Sequence, residues 1–253
     1  MTETSRPPST GAGGWQFPLT VVGTGAVALL ALVVPGVAWD GKPTPLFIIG
    51  VCITLLIVSA VTYRSLVRAR AANGAQFITI ATWVTIVRGG LVTAFAGFIF
   101  TDPPGGAATW VPAGLFATAA LLDAADGAVA RRTDSVTEFG GNLDTEIDAL
   151  LVAVGAVTVV LAGTAPAIFL AVGVARYGFT AGIRWRRHRG LPVKELDSSQ
   201  FRRATGAVIM STVFLALLPV PGPTVSRSVA WLVSVPVLAH FTWDWLTVSG
   251  RVS

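Results

Sequence analysis

Residues 121–151 read LLDAADGAVARRTDSVTEFGGNLDTEIDALL, a stretch in which acidic residues lie inside two apolar segments joined by a short polar turn. Asp123 and Asp126 are three residues apart, and Asp144 and Asp148 are four apart. Residues at these spacings share one face of a helix. The stretch therefore predicts a helical hairpin that brings four carboxylates together near its turn.

The remainder of the chain has the composition of a membrane protein. Of its 253 residues, 53% are hydrophobic and only 12% are charged, about half of the ~25% usual in soluble domains. This excludes a disordered chain, a coiled coil, a small secreted domain and an ordinary soluble enzyme. The single cysteine, Cys52, excludes a disulfide framework and a cysteine-based metal site.

Eight apolar segments can be marked along the chain. Each must be helical, because a sheet edge cannot remain unpaired in lipid. We therefore predict an all-α polytopic membrane protein with about eight transmembrane helices. The approximate limits of the segments are 18–38, 46–63, 77–100, 108–130, 139–163, 166–183, 204–220 and 226–247.

The basic residues predict the orientation of these helices. If the N-terminus is cytoplasmic, fourteen of the 18 Lys and Arg residues fall on the cytoplasmic side and two, Lys42 and Arg227, on the other. Cytoplasmic loops carry such an excess, so both termini are predicted to be cytoplasmic in a plasma-membrane protein. The net charge of +5 then mostly reflects the basic cytoplasmic loops. We therefore expect no nucleic-acid partner.

The four carboxylates predict a divalent-metal site. Clustered carboxylates repel one another and cannot all ionise without cations. Hard ions such as Mg²⁺ or Mn²⁺ suit oxygen ligands, and a pair of ions suits a reaction at a phosphoryl centre. We expect two ions, facing the cytoplasm, at Asp123, Asp126, Asp144 and Asp148. Solvated interfacial charges are the alternative interpretation of these residues.

Small residues and an arginine adjoin the acidic faces. Gly127 and Ala130 allow a ligand or another helix to approach closely. Arg131, at the end of the same segment, can bind a phosphate through two hydrogen bonds or anchor the cytoplasmic side. Gly140 follows the turn. The fixed positions of the complete pattern are Asp123, Asp126, Gly127, Ala130, Arg131, Gly140, Asp144 and Asp148.

This pattern resembles the signature of the CDP-alcohol phosphotransferase (phosphatidyltransferase) family at every fixed position. The resemblance implies a six-helix catalytic core in residues 77–253. A flexible tail, 1–16, and two extra transmembrane helices with a basic loop, 17–76, would precede this core. It also implies an integral membrane enzyme of phospholipid biosynthesis, and a homodimer, which family members often form.

The activity implied is transfer of a phosphatidyl-type group, on diacylglycerol or archaeol, from a CDP-linked lipid to an alcohol with release of CMP. Asp123, Asp126 and Asp144 would bind metal, and Asp148 would bind metal and act as general base on the acceptor hydroxyl. The cytidine diphosphate would contact Gly127, Ala130, Arg131, Gly140, Thr85 and Arg88.

Thr85 and Arg88 belong to a second pattern, ATWVTIVR, that resembles the family's Pro-Asn-x-x-Thr-x-x-Arg. Ala81 and Thr82 stand here in place of Pro and Asn, which puts a nucleotide contact by residue 82 in doubt. An arginine inside a helical run is costly. Arg88 is therefore expected to point into a polar cavity, either toward CDP or as the partner of a motif carboxylate.

The acceptor is less well defined by the sequence. The basic loop 184–203 favours a pocket for a phosphorylated acceptor such as glycerol 3-phosphate or inositol phosphate, with Arg176, Arg202 and Arg203 as candidate contacts. Positive-inside topology explains most of this loop equally well, so serine or another unphosphorylated alcohol remains open. Asp244, between two tryptophans, is interpreted as an exposed interfacial acid, and His240 receives no role.

Two other classes of protein also place acids in membrane helices. Aromatic prenyltransferases carry two Asp-rich motifs, but on well-separated helices rather than in one hairpin. A cation transporter with an acidic intramembrane site would show broken helices and carboxylates near mid-bilayer. The acids of this chain instead lie toward the predicted cytoplasmic ends of their helices.

Overall fold

The computed structural model describes residues 16–38, 44–73, 79–102, 105–133, 137–194 and 200–251. Within these ranges the chain forms eight α-helices and two short 3₁₀ helices, with no strand, so the predicted all-α polytopic fold is confirmed. The 3₁₀ helices, Gly97–Ile99 and Gly106–Trp110, lie between α3 and α4. The α-helices are α1 (Gln16–Ala38), α2 (Pro45–Asn73), α3 (Ile80–Ala96), α4 (Val111–Thr133), α5 (Glu138–Leu161), α6 (Phe169–His188), α7 (Gln200–Leu217) and α8 (Pro223–Val248).

Two helices run past the apolar segments that predicted them. α2 continues about ten residues beyond position 63, and α6 about five beyond position 183. The added turns carry basic side chains, such as Arg68 and Arg186, which suit the membrane surface rather than its interior. In the described part of the chain, three stretches are long and apolar enough to cross a membrane: Pro45–Ala72, Ile80–Ile99 and Pro223–Val248.

Threonine caps fix the first turns of α3 and α5. The Thr79 hydroxyl oxygen accepts a hydrogen bond from the Thr82 backbone N–H at 3.3 Å, and Thr137 does the same for Gly140 at 3.1 Å. Such caps satisfy an N–H group that the helix itself leaves without a partner. Each cap therefore defines where its helix begins.

The two helix starts lie side by side. A Cβ atom added to Gly140 would be only 3.0 Å from the Thr82 hydroxyl oxygen, so the first turn of α5 packs against that of α3. Arg88 follows the α3 cap by nine residues, whereas Asp144 and Asp148 follow the α5 cap by seven and eleven. With a rise of 1.5 Å per residue, the arginine reaches a level between the two carboxylates.

α3 is the central helix of the fold. It contacts α1, α2, α4 and α5, and the two N-terminal helices pack directly against it. A Cβ atom on Gly90 would lie 2.6 Å from the Val27 Cβ atom of α1, and one on Gly97, after α3, would lie 2.6 Å from the Phe47 ring of α2. Glycine thus permits both close approaches, and the N-terminal pair is part of the packed structure.

We predict that Gly90→Val destabilises the protein, because the added side chain would overlap Val27 across the α1–α3 contact. Overpacking of this kind costs about 1–3 kcal/mol, which should lower the melting temperature of the detergent-solubilised protein by several degrees. Gly25→Val is the matched control, since a Cβ atom at Gly25 meets nothing within 4 Å. Equal melting temperatures for the two variants would contradict this packing.

Candidate active site

Three of the four predicted carboxylates meet between α4 and α5. Asp123, Asp144 and Asp148 each have an oxygen atom that lies within 4.8 Å of the others. Their side chains are 36%, 35% and 30% exposed, so the cluster is open to ions and ligands. The helical spacing seen in the sequence therefore does bring these acids together.

Several predicted site residues lie outside the part of the chain whose side chains are described. Their backbone belongs to α4, on the turns that follow Asp123. Their predicted roles in binding metal and CDP remain predictions. These residues are Asp126, Gly127, Ala130 and Arg131.

The guanidinium group of Arg88 lies among the three carboxylates. It donates hydrogen bonds to Asp144 and Asp148, and its Nη1 atom is 3.0 Å from an oxygen of Asp123. Its Nε atom donates to the Ala119 carbonyl oxygen of α4 at 3.1 Å. The side chain is fully buried. Arg88 thus connects α3 to both acidic helices, as one of the two sequence interpretations proposed.

Thr85 lies on α3 and Gly140 in the first turn of α5. Thr85 is buried, and its hydroxyl donates to the Ala81 carbonyl oxygen at 3.2 Å. Gly140 allows α5 to approach Thr82. These contacts explain why position 140 holds a residue without a side chain and position 85 a short polar residue. A role of either residue in binding CDP remains a prediction.

The donor set fits a hard divalent cation. Three carboxylates within reach of one another offer the oxygen ligands that Mg²⁺ and Mn²⁺ prefer. Each carboxylate has two oxygens, and Arg88 contacts one oxygen of each. The three carboxylates are therefore chemically able to hold a metal ion.

An open cavity of about 790 Å³ extends from this cluster. Asp123 and Asp148 line it, and so do Arg176, Arg202 and Arg203. A cavity of this size accommodates a drug-sized ligand. The structure therefore brings the predicted acceptor contacts and two of the predicted metal ligands into one space.

The same cavity reaches two residues of α8 that sequence reasoning left without a role. Asp244 is not the exposed interfacial acid expected from its neighbouring tryptophans, because its side chain is only 14% exposed and lines the cavity. His240, one turn earlier, also lines it. Their spacing of four residues was the available signal, since it places a titratable pair on one helical face.

We predict that Arg88→Gln destabilises the protein in the absence of divalent cations, because three clustered carboxylates lose their counter-charge. Breaking a buried ion pair costs about 3–5 kcal/mol, and the partial exposure of the acids places the loss near the lower end. Added Mg²⁺ should restore more stability to this variant than it adds to the native protein. Melting temperatures with EDTA and with Mg²⁺ measure both effects.

Arg227→Gln is the control for this prediction, since Arg227 is exposed on α8. Equal melting temperatures of the two variants in EDTA would contradict this role of Arg88. An equal rise in the melting temperatures of the native protein and both variants on addition of Mg²⁺ would also contradict it.

Comparison with known families agrees with the geometry. A sequence model described as CDP-alcohol phosphatidyltransferase matches residues 78–242, about two thirds of the chain. Among the curated proteins, none matches. The matched region contains Arg88, the carboxylate cluster and the residues that line the cavity apart from Asp244, whereas α1 and α2 precede it. The chain therefore belongs to the CDP-alcohol phosphatidyltransferase family, whose activity is transfer of a phosphatidyl group from a CDP-alcohol to an alcohol.

Proposed function

We propose that this protein is a phospholipid-biosynthesis enzyme that transfers a phosphatidyl-type group from a CDP-linked lipid to a small phosphorylated alcohol and releases CMP. The observation that supports this choice of acceptor is the shared cavity. It joins Asp148, the proposed base, to three arginines on α6 and α7. Glycerol 3-phosphate and inositol phosphate are the acceptors of this type that we consider.

Charge matching favours a phosphorylated acceptor. Arg176, Arg202 and Arg203 bring three positive charges to the cavity, whereas Asp244 and the cluster members Asp123 and Asp148 bring three negative charges. Arg88 and the proposed metal ions would neutralise the cluster, which leaves a difference of two positive charges, while a phosphate monoester carries about −1.5 to −2 at neutral pH. Guanidinium groups also match phosphate geometrically through paired hydrogen bonds. Serine, which has no phosphate, would leave this charge uncompensated.

In the proposed reaction, Asp148 takes the proton from the acceptor hydroxyl. The acceptor oxygen forms a bond to the β-phosphorus, which is the phosphorus nearer the lipid, and the bond from this phosphorus to the oxygen bridging the two phosphates breaks. CMP leaves with that oxygen, and the proton passes from Asp148 to CMP or water. General-base catalysis requires the base to reach the proton it takes, and Asp148 lines the cavity where the acceptor would lie.

The other site residues would position the donor substrate. Asp123, Asp126, Asp144 and Asp148 would hold two Mg²⁺ or Mn²⁺ ions, which when bound supply charge neutralisation at the diphosphate. Contacts to the cytidine diphosphate would come from Thr85, Arg88, Gly127, Ala130, Arg131 and Gly140.

We further propose that the site faces the cytoplasm of a plasma-membrane protein with both termini on that side. The fourteen-to-two distribution of basic residues supports this orientation. CDP and the acceptor are water-soluble, whereas the lipid chains, on diacylglycerol or archaeol, would remain in the bilayer. A homodimer also remains part of this proposal.

Purified protein supplied with a CDP-linked lipid, Mg²⁺ and a panel of acceptors should release CMP with a phosphorylated acceptor. Asp148→Asn should lower that rate by about 10²–10⁴-fold, because general-base catalysis typically contributes that factor. Asp102→Asn is the control, since Asp102 is exposed and lies before α4, away from the cavity. Native rates of CMP release in Asp148→Asn would contradict the role of Asp148 as general base. A cation flux through the native protein without CMP release would favour the transporter interpretation.

We predict that Arg176→Gln raises KM for the phosphorylated acceptor about 10–100-fold, since hydrogen bonds to charged groups contribute about 1.5–3 kcal/mol. KM for the CDP-linked lipid should stay the same. Arg187→Gln is a matched control on α6, because Arg187 is exposed and does not line the cavity. Equal effects of the two substitutions on KM would indicate that these basic residues only set the orientation of the helices in the membrane.

A further inference from the structure

The α8 side of the cavity carries a polar pair on an otherwise mainly apolar wall. His240 and Asp244 lie one helical turn apart, and their side chains are 18% and 14% exposed. Phe241 on α8 and Ile209 and Met210 on α7 line the cavity beside them. Polar groups placed in a mainly apolar pocket orient a ligand and provide specificity.

Asp244 lies close to two side chains that are able to donate hydrogen bonds, His240 and Arg202. Its Oδ2 atom is 3.5 Å from the Nε2 atom of His240 and 3.9 Å from an Nη1 atom of Arg202. The distance to Arg202 exceeds that of a hydrogen bond, so this contact is an ion pair that leaves the carboxylate able to accept a hydrogen bond from a ligand.

The pair adds a chemical ability that the arginines lack. A guanidinium group only donates hydrogen bonds, whereas a carboxylate accepts them and an imidazole can do either. The phosphate of an acceptor needs donors, but its hydroxyl groups need acceptors as well. In the described part of this cavity, Asp244 supplies an acceptor outside the metal-binding cluster.

The positions of these residues along their helices are consistent with a pair that lies between Asp148 and Arg202. Asp148 lies ten residues inside α5 from its first residue, whereas Arg202 lies only two residues inside α7. His240 and Asp244 are eight and four residues from the last residue of α8. If the reacting hydroxyl of an acceptor lies at Asp148 and its phosphate at Arg202, the middle of the acceptor lies beside His240 and Asp244.

We propose that His240 and Asp244 determine acceptor specificity by binding the hydroxyl groups of a phosphorylated polyol. The pair recognises the carbon skeleton between the phosphate and the reacting hydroxyl, and Asp244 also holds Arg202 at the cavity. This inference rests on the proposed function, in which a phosphorylated acceptor occupies the cavity.

The test compares two acceptors that share a phosphate and differ in their hydroxyl groups, inositol 1-phosphate and glycerol 3-phosphate. The ratio of kcat/KM for the two is measured with full-length native protein, Asp244→Leu and His240→Phe. We expect each substitution to change this ratio about tenfold, with KM for the CDP-linked lipid unchanged. Thr242→Val is the control, because Thr242 is exposed on the same helix and does not line the cavity.

An unchanged ratio, even with lower rates for both acceptors, would show a merely structural role and overturn the inference. Melting temperatures give a readout that does not depend on turnover. Inositol 1-phosphate should stabilise the native protein and Thr242→Val more than inorganic phosphate does, and Asp244→Leu should lose this difference.

These two readouts separate the inference from the proposed function. If the native protein turns over neither acceptor, the proposed function fails. The melting temperatures still test whether His240 and Asp244 bind the hydroxyl groups of a phosphorylated polyol. The inference is overturned if inositol 1-phosphate stabilises the native protein no more than inorganic phosphate does, or if Asp244→Leu keeps the full difference.

Discussion

The ion pairing of Arg88 with three aspartates is the interaction on which the site depends. A buried guanidinium group in an apolar bundle is tolerable only when carboxylates neutralise it, and clustered carboxylates are tolerable only beside a cation. The pairing draws α3, α4 and α5 together at one depth. Glycine contacts along α3 then allow α1 and α2 to pack on this central helix. The same arrangement that stabilises the bundle also shapes its reactive cluster.

Much of this organisation could be predicted from the sequence, because it follows from local spacing. The three- and four-residue intervals of the aspartates predicted their common face, and apolar segments predicted eight helices. The partner of Arg88 was left open, since it depends on the register of α3 against α5, which the caps at Thr79 and Thr137 set. The lengths of α2 and α6 were underestimated, because apolarity marks the membrane-facing part of a helix and not its charged extension.

The α8 wall of the cavity shows where sequence reasoning was insufficient. Asp244 was interpreted as an exposed acid because it lies between tryptophans, but burial depends on how α8 packs against α6 and α7. That packing brings Asp244 close to Arg202 of α7, with His240 beside Asp244 on α8. The cavity thus combines acids that could hold a metal ion with three arginines and Asp244. This is the combination of charges that the proposed diphosphate donor and phosphorylated acceptor require.

The phosphorus content of the lipid product tests this account most directly. Purified protein would be incubated with Mg²⁺, a CDP-linked lipid and a mixture of phosphorylated and unphosphorylated acceptors, and the new lipid would be analysed by mass spectrometry. The account predicts a lipid with two phosphorus atoms, one from each substrate, formed in equal amount to CMP. A new lipid with a single phosphorus atom, or CMP release without a new lipid, would contradict it.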